Sequence, residues 1–146
     1  MDKLLVIDLE ATCWDDEQGP NTRISEIIEI GLCELDLTTL AIGKRKSYVI
    51  RPQFTIVSEF CTKLTGFTQE MVDTGMTLGK AFALIKDEFK AHTQLWGAWS
   101  EWDLMMFNDA CARFRLNPVF WPSNFVNLKT MFQMLYSRAP MGFDAA

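Results

Sequence analysis

No apolar run in these 146 residues approaches the ~18 needed to cross a bilayer, so no membrane span is expected. Cysteine is sparse and scattered. Cys13, Cys33, Cys61 and Cys111 form no CxxC pair, which argues against structural zinc and against a disulfide framework. Isolated thiols fit a reducing compartment, and a cytoplasmic location is expected. The first residues lack the basic region and small-residue cleavage site of a signal peptide. Positive charge is also short: 14 Lys and Arg stand against 19 Asp and Glu, a net charge of −5. That balance argues against a protein that coats nucleic acid through many phosphate contacts, but not against an enzyme that grips one strand end through a metal. Repeats, low-complexity tracts and linkers are absent. A chain of this length with 49% hydrophobic residues reads as a single domain over 1–146 with a real core.

Against that background the stretch "LLVIDLEATCW", residues 4–14, stands out. Its four leading aliphatic residues predict a buried strand. Side chains alternate along a strand, so Asp8 and Glu10 share a face, roughly 6–7 Å apart. Two half-desolvated like charges disfavour each other's ionised form unless a cation lies between them. A divalent ion with oxygen ligands would resolve the conflict. The plainer alternative is a strand-end Asp that caps a turn beside an edge Glu.

The rest of the chain alternates. A strand over about 3–9 is followed by a polar loop and a second strand in "ISEIIEIGLCEL", with Ile24, Ile28, Ile30 and Leu32 on one face and Glu26 interrupting it. A third strand is expected in "SYVIRP", joined to the second as its antiparallel neighbour by a short link at 37–43. Short helices follow, capped by Ser58 and ended by Gly66, then capped by Thr68 and ended by Gly75. In the clearest helix, Thr77 is the cap and Leu78, Phe82, Ile85 and Phe89 form a stripe. "QLWGAW" reads as a buried strand. A helix follows with Leu104, Phe107, Cys111 and Phe114 on one side. A short strand at "FVNL" then leads into a helix holding Leu128, Phe132 and Leu135. The pattern is α/β, three meander strands before alternating α and β units.

Asp103 sits three positions after Ser100, which makes it an acidic variant of the capping box. It also follows a strand apolar enough to be central, where α/β domains gather their sites, so it could face Asp8 and Glu10. Both roles can coexist. Trp96 reads as core, whereas Trp14, just past the acids, is a candidate to stack on a base. His92, the single histidine, reads as a surface residue away from the acids. Lys63, Arg113 and Arg115 are candidates for phosphate contact or for solvated helix faces.

In order along the chain, "DLEATCW", "EIIEIG", "SEFCTKLTGFTQEMVD" and "WGAWSEWD" resemble the DEDD exonuclease superfamily. The closest likeness is to its histidine-type branch, the group of the histone-mRNA 3′-exonuclease and the sporulation-inhibitor exonuclease. The resemblance implies a ribonuclease H-like fold: a mixed five-stranded sheet, three antiparallel strands leading into two parallel ones, flanked by helices. It implies two Mg²⁺ or Mn²⁺ ions held by four acidic residues. By matching position Asp8 would bridge both ions, Glu10 would hold one, and Asp103 would contact the other directly or through water. Leu64, Thr65 and Gly66 match the segment that lies against the terminal nucleotide, with Leu9 and Ala11 of the first motif adding backbone and apolar contacts.

The family's third motif, a histidine base with the fourth acid, has no match in this sequence. Neither His92 nor Asp144 sits in a fitting context, and "MGFDAA" resembles the start of a helix that would precede it. The C-terminal helices are therefore expected to be missing, leaving an apolar face open to self-association. The expected function is metal-dependent 3′-5′ exonuclease action on single-stranded RNA or DNA. The alternative is a nuclease-like module, impaired in catalysis, that binds nucleic acid or a partner protein.

Overall fold

A computed structural model describes residues 2–15 and 24–136. The central element is β1 (Lys3–Ala11). It pairs antiparallel with β2 (Ile27–Asp36), which pairs antiparallel with β3 (Ile42–Val49). On its other side β1 pairs parallel with β4 (Leu95–Ala98), which pairs parallel with β5 (Phe125–Asn127). The order β3-β2-β1-β4-β5 is the mixed five-stranded sheet expected from the sequence.

Among the described residues the sheet is accompanied by the helices α1 (Glu59–Thr65), α2 (Gln69–Asp73), α3 (Leu78–Phe89), α4 (Glu101–Phe114) and α5 (Leu128–Tyr136). The starts of the first four follow from short polar side chains that accept otherwise unpaired amides. Ser58 Oγ accepts from Cys61 N, Thr68 Oγ1 from Met71 N, Thr77 Oγ1 from Lys80 N and Ser100 Oγ from Trp102 N. Gly66 ends α1 at φ 80°, where a side chain would be strained. Gly75 has a different role. A Cβ there would lie 2.8 Å from the Val49 carbonyl, so only glycine lets the chain after α2 bridge Ile50 through Met76.

The main core lies on one face of the sheet. Leu5, Ile7 and Leu9 of β1 point into it and meet Leu78, Phe82, Ile85 and Phe89 of α3 with Phe107 of α4. Trp96 is fully buried, packed among the rings of Phe107, Phe120 and Phe125. Its indole N–H is satisfied by the Trp121 carbonyl at 2.9 Å.

Three details depart from the pattern read in the sequence. The face assigned to Ile24, Ile28, Ile30 and Leu32 is split. Glu10 pairs with Glu29 but Ala11 pairs with Ile27, so Ile28 is the extra residue of a β-bulge. The bulge puts Ile27 with Ile30 and Leu32 in the main core. Ile28 is sent to a second cluster with Cys61 and Val72, and Ile24 is exposed outside the strand. Next, β3 starts at Ile42 rather than in "SYVIRP", because Lys44, Arg45 and Lys46 belong to an exposed edge strand whose charges hide its pattern. Finally, α5 buries no residue fully, and Leu135 is exposed beside Met131, Met134 and Tyr136. The "MGFDAA" segment lies outside the described residues. No helix among those described is long and apolar enough to cross a membrane.

Candidate active site at the carboxyl end of the central strands

The pairing of β1 with β4 ends at Val6 and Gly97, while β1 itself continues to Ala11. The Leu9 amide therefore has no β4 partner. Asp103 supplies one: its Oδ1 accepts from Leu9 N at 3.2 Å, and the residue is buried. The carboxylate of the first turn of α4 thus turns to β1, while Ser100 does the capping. Asp8 and Glu10 project from the face of β1 opposite Leu5, Ile7 and Leu9, the face they share with Leu4 and Val6.

Across the β1–β2 ladder Glu10 stands opposite Glu29, and Asp8 opposite Gly31. Glu29 is a fourth acid at this end of the sheet, held by a 2.6 Å hydrogen bond from Ser47 Oγ. Sequence reasoning misses it, although the alternation of "EIG" with buried isoleucines carries the signal. Nothing in one strand's pattern says which residue of the next strand lies opposite it.

The acids raise one another's proton affinity. Partial burial, then the charges of Asp8, Glu29 and Asp103, push Glu10 up to about 7. Burial, then the Asp8 charge, pushes Asp103 up to about 6, although hydrogen bonds from its own amide and from Leu9 oppose the shift. Asp8 is raised by burial, and Glu29 by burial against the opposing Ser47 bond. Carboxylate oxygens gathered in this way suit a hard divalent ion in their chemistry. Among the described residues, however, no three His, Cys, Asp or Glu side chains stand as a ligand set ready to hold a metal.

The other residues singled out in the sequence are dispersed around this end. The Leu9 and Ala11 side chains are buried. The Ala11 carbonyl faces the Cys61 thiol at 3.5 Å. Leu64 is exposed at the end of α1, Thr65 bonds back to the Cys61 carbonyl, and Gly66 forms the turn. Trp14 is half-buried and lines a small recess with Phe54, Thr55 and Ile56. Arg113 is committed to the Ser25 carbonyl at 3.0 Å, and Arg115 forms the left-handed end of α4. His92 is not a surface residue: it is half-buried, and its Nδ1 is enclosed without a hydrogen-bond partner. It lines a groove of about 500 Å³ with Phe82, Lys86, Leu116 and Trp121. His92 precedes the amino end of β4, whereas Asp103 follows the carboxyl end.

Glu26 is the residue the sequence most misrepresents. It reads as an interruption of a strand, yet it is buried and saturated with donors. Its carboxylate accepts from the amides of Gln53, Phe54 and Thr55 at 2.8, 2.9 and 2.7 Å, and from the Thr55 hydroxyl at 2.6 Å. Thr12 completes the clamp, accepting from Glu26 N at 2.9 Å and meeting Thr55 Oγ1 at 3.0 Å.

The RNase T family model, whose description is "Exonuclease", matches residues 5–145. This chain belongs to the RNase T exonuclease family. Human ERI1 exoribonuclease 2 is 32% identical over 169 residues, covering 99% of this chain and 24% of that protein. The 3′-5′ exonuclease Snipper of Drosophila melanogaster is 25% identical, covering 98% of this chain and 58% of its own length. The chain thus spans about a quarter of the human relative. The crystal structure of the nuclease domain of 3′hExo, a DEDDh family member bound to rAMP, superposes with a TM-score of 0.83 at 28% identity. That match covers 94% of this chain and 72% of the other. The DEDD likeness and the fold read in the sequence agree with this family, whose members generally use divalent metals.

Proposed function

We propose that this chain carries the nuclease site of a metal-dependent 3′-5′ exonuclease that acts on the 3′ end of single-stranded RNA or DNA. The observation that carries the reading is the convergence of Asp8, Glu10 and Asp103 at the carboxyl end of β1 and β4, with all three proton affinities raised by burial and those of Glu10 and Asp103 also by neighbouring carboxylates. Asp8, Glu10 and Asp103 would hold the ions. Mg²⁺ or Mn²⁺ bound there would activate a water and offset the charge of the scissile phosphate.

The protein's own contribution is positional. Asp103 is fixed by the Leu9 amide, and Asp8 and Glu10 by a strand that lies between two others, so the three carboxylates sit on rigid elements. Leu64, Thr65 and Gly66, on the C-terminal turn of α1, would take the terminal nucleotide. Hydrolysis breaks the P–O3′ bond. The oxygen of water becomes part of the released 5′-phosphate, and the departing O3′ gains a proton.

One observation favours a second reading. Among the described residues no histidine stands with the acids, since His92 lies before the opposite end of β4. A nuclease-like module that binds nucleic acid or a partner without cleaving would have this arrangement.

Mn²⁺-dependent shortening of a 5′-labelled single-stranded RNA separates the two. A ladder of products from this chain, abolished by Asp8→Ala, is the expected result. Mn²⁺ binding that Asp8→Ala abolishes, with no ladder, favours the binding module. The absence of both cleavage and Mn²⁺ binding would refute the metal-site reading.

A further inference from the structure

Gly31 shapes the acid face by the side chain it lacks. It stands opposite Asp8 in β1 and opposite Ser47 in β3, so a Cβ there would point to the face that carries Asp8 and Glu10. That space is filled from two residues away. A Cβ on Gly31 would lie 3.3 Å from Glu29 Oε1, 3.7 Å from Glu29 Oε2 and 3.6 Å from the Asp8 carbonyl oxygen. Glu29 itself stands opposite Glu10, so its side chain runs along β2 and lays its carboxylate over Gly31, level with Asp8. Ser47, the next residue in that row, donates to Oε1 at 2.6 Å. Oε2 accepts no hydrogen bond from the described residues. Like charges so placed repel, and the repulsion ends when a cation shares the face.

The geometry points to a positioning role for Glu29: Ser47 anchors its Oε1, and its Oε2 accepts hydrogen bonds from water on the divalent ion held by Asp8 and Glu10, which fixes that ion's hydration. The inference rests on the metal-site reading above and adds a residue to it. A small hard ion such as Mg²⁺ sheds water reluctantly and keeps several waters among its ligands. Those waters need acceptors, and a carboxylate pinned at one oxygen offers the other at a fixed place. Partners of this outer kind typically account for about 10–100-fold in metal affinity or activity. Gly31 belongs to the same device, because any side chain there would compete with the carboxylate for its place. A purely structural role, a tie between β2 and β3, needs only an uncharged acceptor for Ser47.

The test measures Mn²⁺ affinity by calorimetric titration and the waters on the bound ion by water-proton relaxation, with urea unfolding in EDTA as the control for the fold. Glu29→Gln keeps the volume and an acceptor for Ser47 while removing the charge. It is expected to weaken Mn²⁺ binding about tenfold, with the number of water ligands unchanged and the urea midpoint no lower. Ser47→Ala leaves the carboxylate charged but unanchored, and is expected to weaken binding about threefold. Wild-type affinity in either variant overturns the inference and leaves the metal site standing. Weakened binding with one extra water on the ion in Glu29→Gln also overturns it, since Glu29 would then be a direct ligand. No Mn²⁺ binding by the wild-type chain overturns both the inference and the metal-site reading.

Discussion

Two groups of acids flank the end of β1 and are treated in opposite ways. Glu26 is buried with four donors on its two oxygens. Asp8, Glu10 and Asp103 have one another for company, and among the described residues the donor that reaches them from another element is the Leu9 amide on Asp103. The first arrangement satisfies a charge and so stabilises the fold. The second leaves charge uncompensated, which costs stability and invites an external cation. Neighbours rather than residue type decide which acid is a strut and which is a ligand.

The sharpest way to break that contrast is Glu26→Ala, which strands three amides in a part-buried loop. A loss of about 3–4 kcal/mol is expected in urea unfolding. A loss below about 1 kcal/mol would mean that Glu26 is no strut. A smaller effect separates the two roles of Asp103. Asp103→Ala should cost about 1–2 kcal/mol by leaving Leu9 N–H unpaired. Asp103→Asn keeps an acceptor and should hold its stability while losing Mn²⁺ affinity in calorimetric titration. If both substitutions destabilise equally, the Leu9 bond is not what Asp103 contributes to the fold.

The mildest expectation concerns pH. Glu10 and Asp103 take up protons at about 7 and 6 in the fold, above the values of 4.5 and 3.8 for the free groups. Between those limits the folded chain binds more protons than the unfolded one, so stability falls as pH rises through that window. Asp36, held down by the Thr39 amide and side chain and the Thr38 amide, and Glu88, held down by Lys46, act the other way, but at lower pH. The Tm in EDTA should be higher at pH 5 than at pH 8. Glu10→Gln should narrow the gap, and an unchanged gap would locate the repulsion elsewhere.

What is legible in the sequence is what one segment determines by itself. The alternation of Asp8 and Glu10, the caps Ser58, Thr68, Thr77 and Ser100, and the stripe of α3 all follow from local periodicity and side-chain chemistry. The illegible features join distant segments. Glu26 meets a loop 27 to 29 residues away, Asp103 meets an amide 94 residues away, and Glu29 stands opposite Glu10 beside a register that a bulge has shifted. Such partners leave no period in the chain. His92 escapes the sequence for a related reason, since its enclosure depends on Phe82, Leu116 and Trp121 from three separate segments.

The bulge at Ile28 has a consequence for motion. The extra residue is the sheet's fully buried contribution to the small cluster with Cys61 and Val72, joined by Val49 of β3, which ties α1 and α2 to the sheet apart from the main core. A layer held by so few buried side chains is a cooperative unit of its own, able to open while β1 keeps its neighbours on both sides. Amide hydrogens in α1 and α2 would then exchange through openings that leave those of Ile7 and Leu9 protected. The turn bearing Leu64, Thr65 and Gly66 could lift and resettle around a strand end without disturbing the acids.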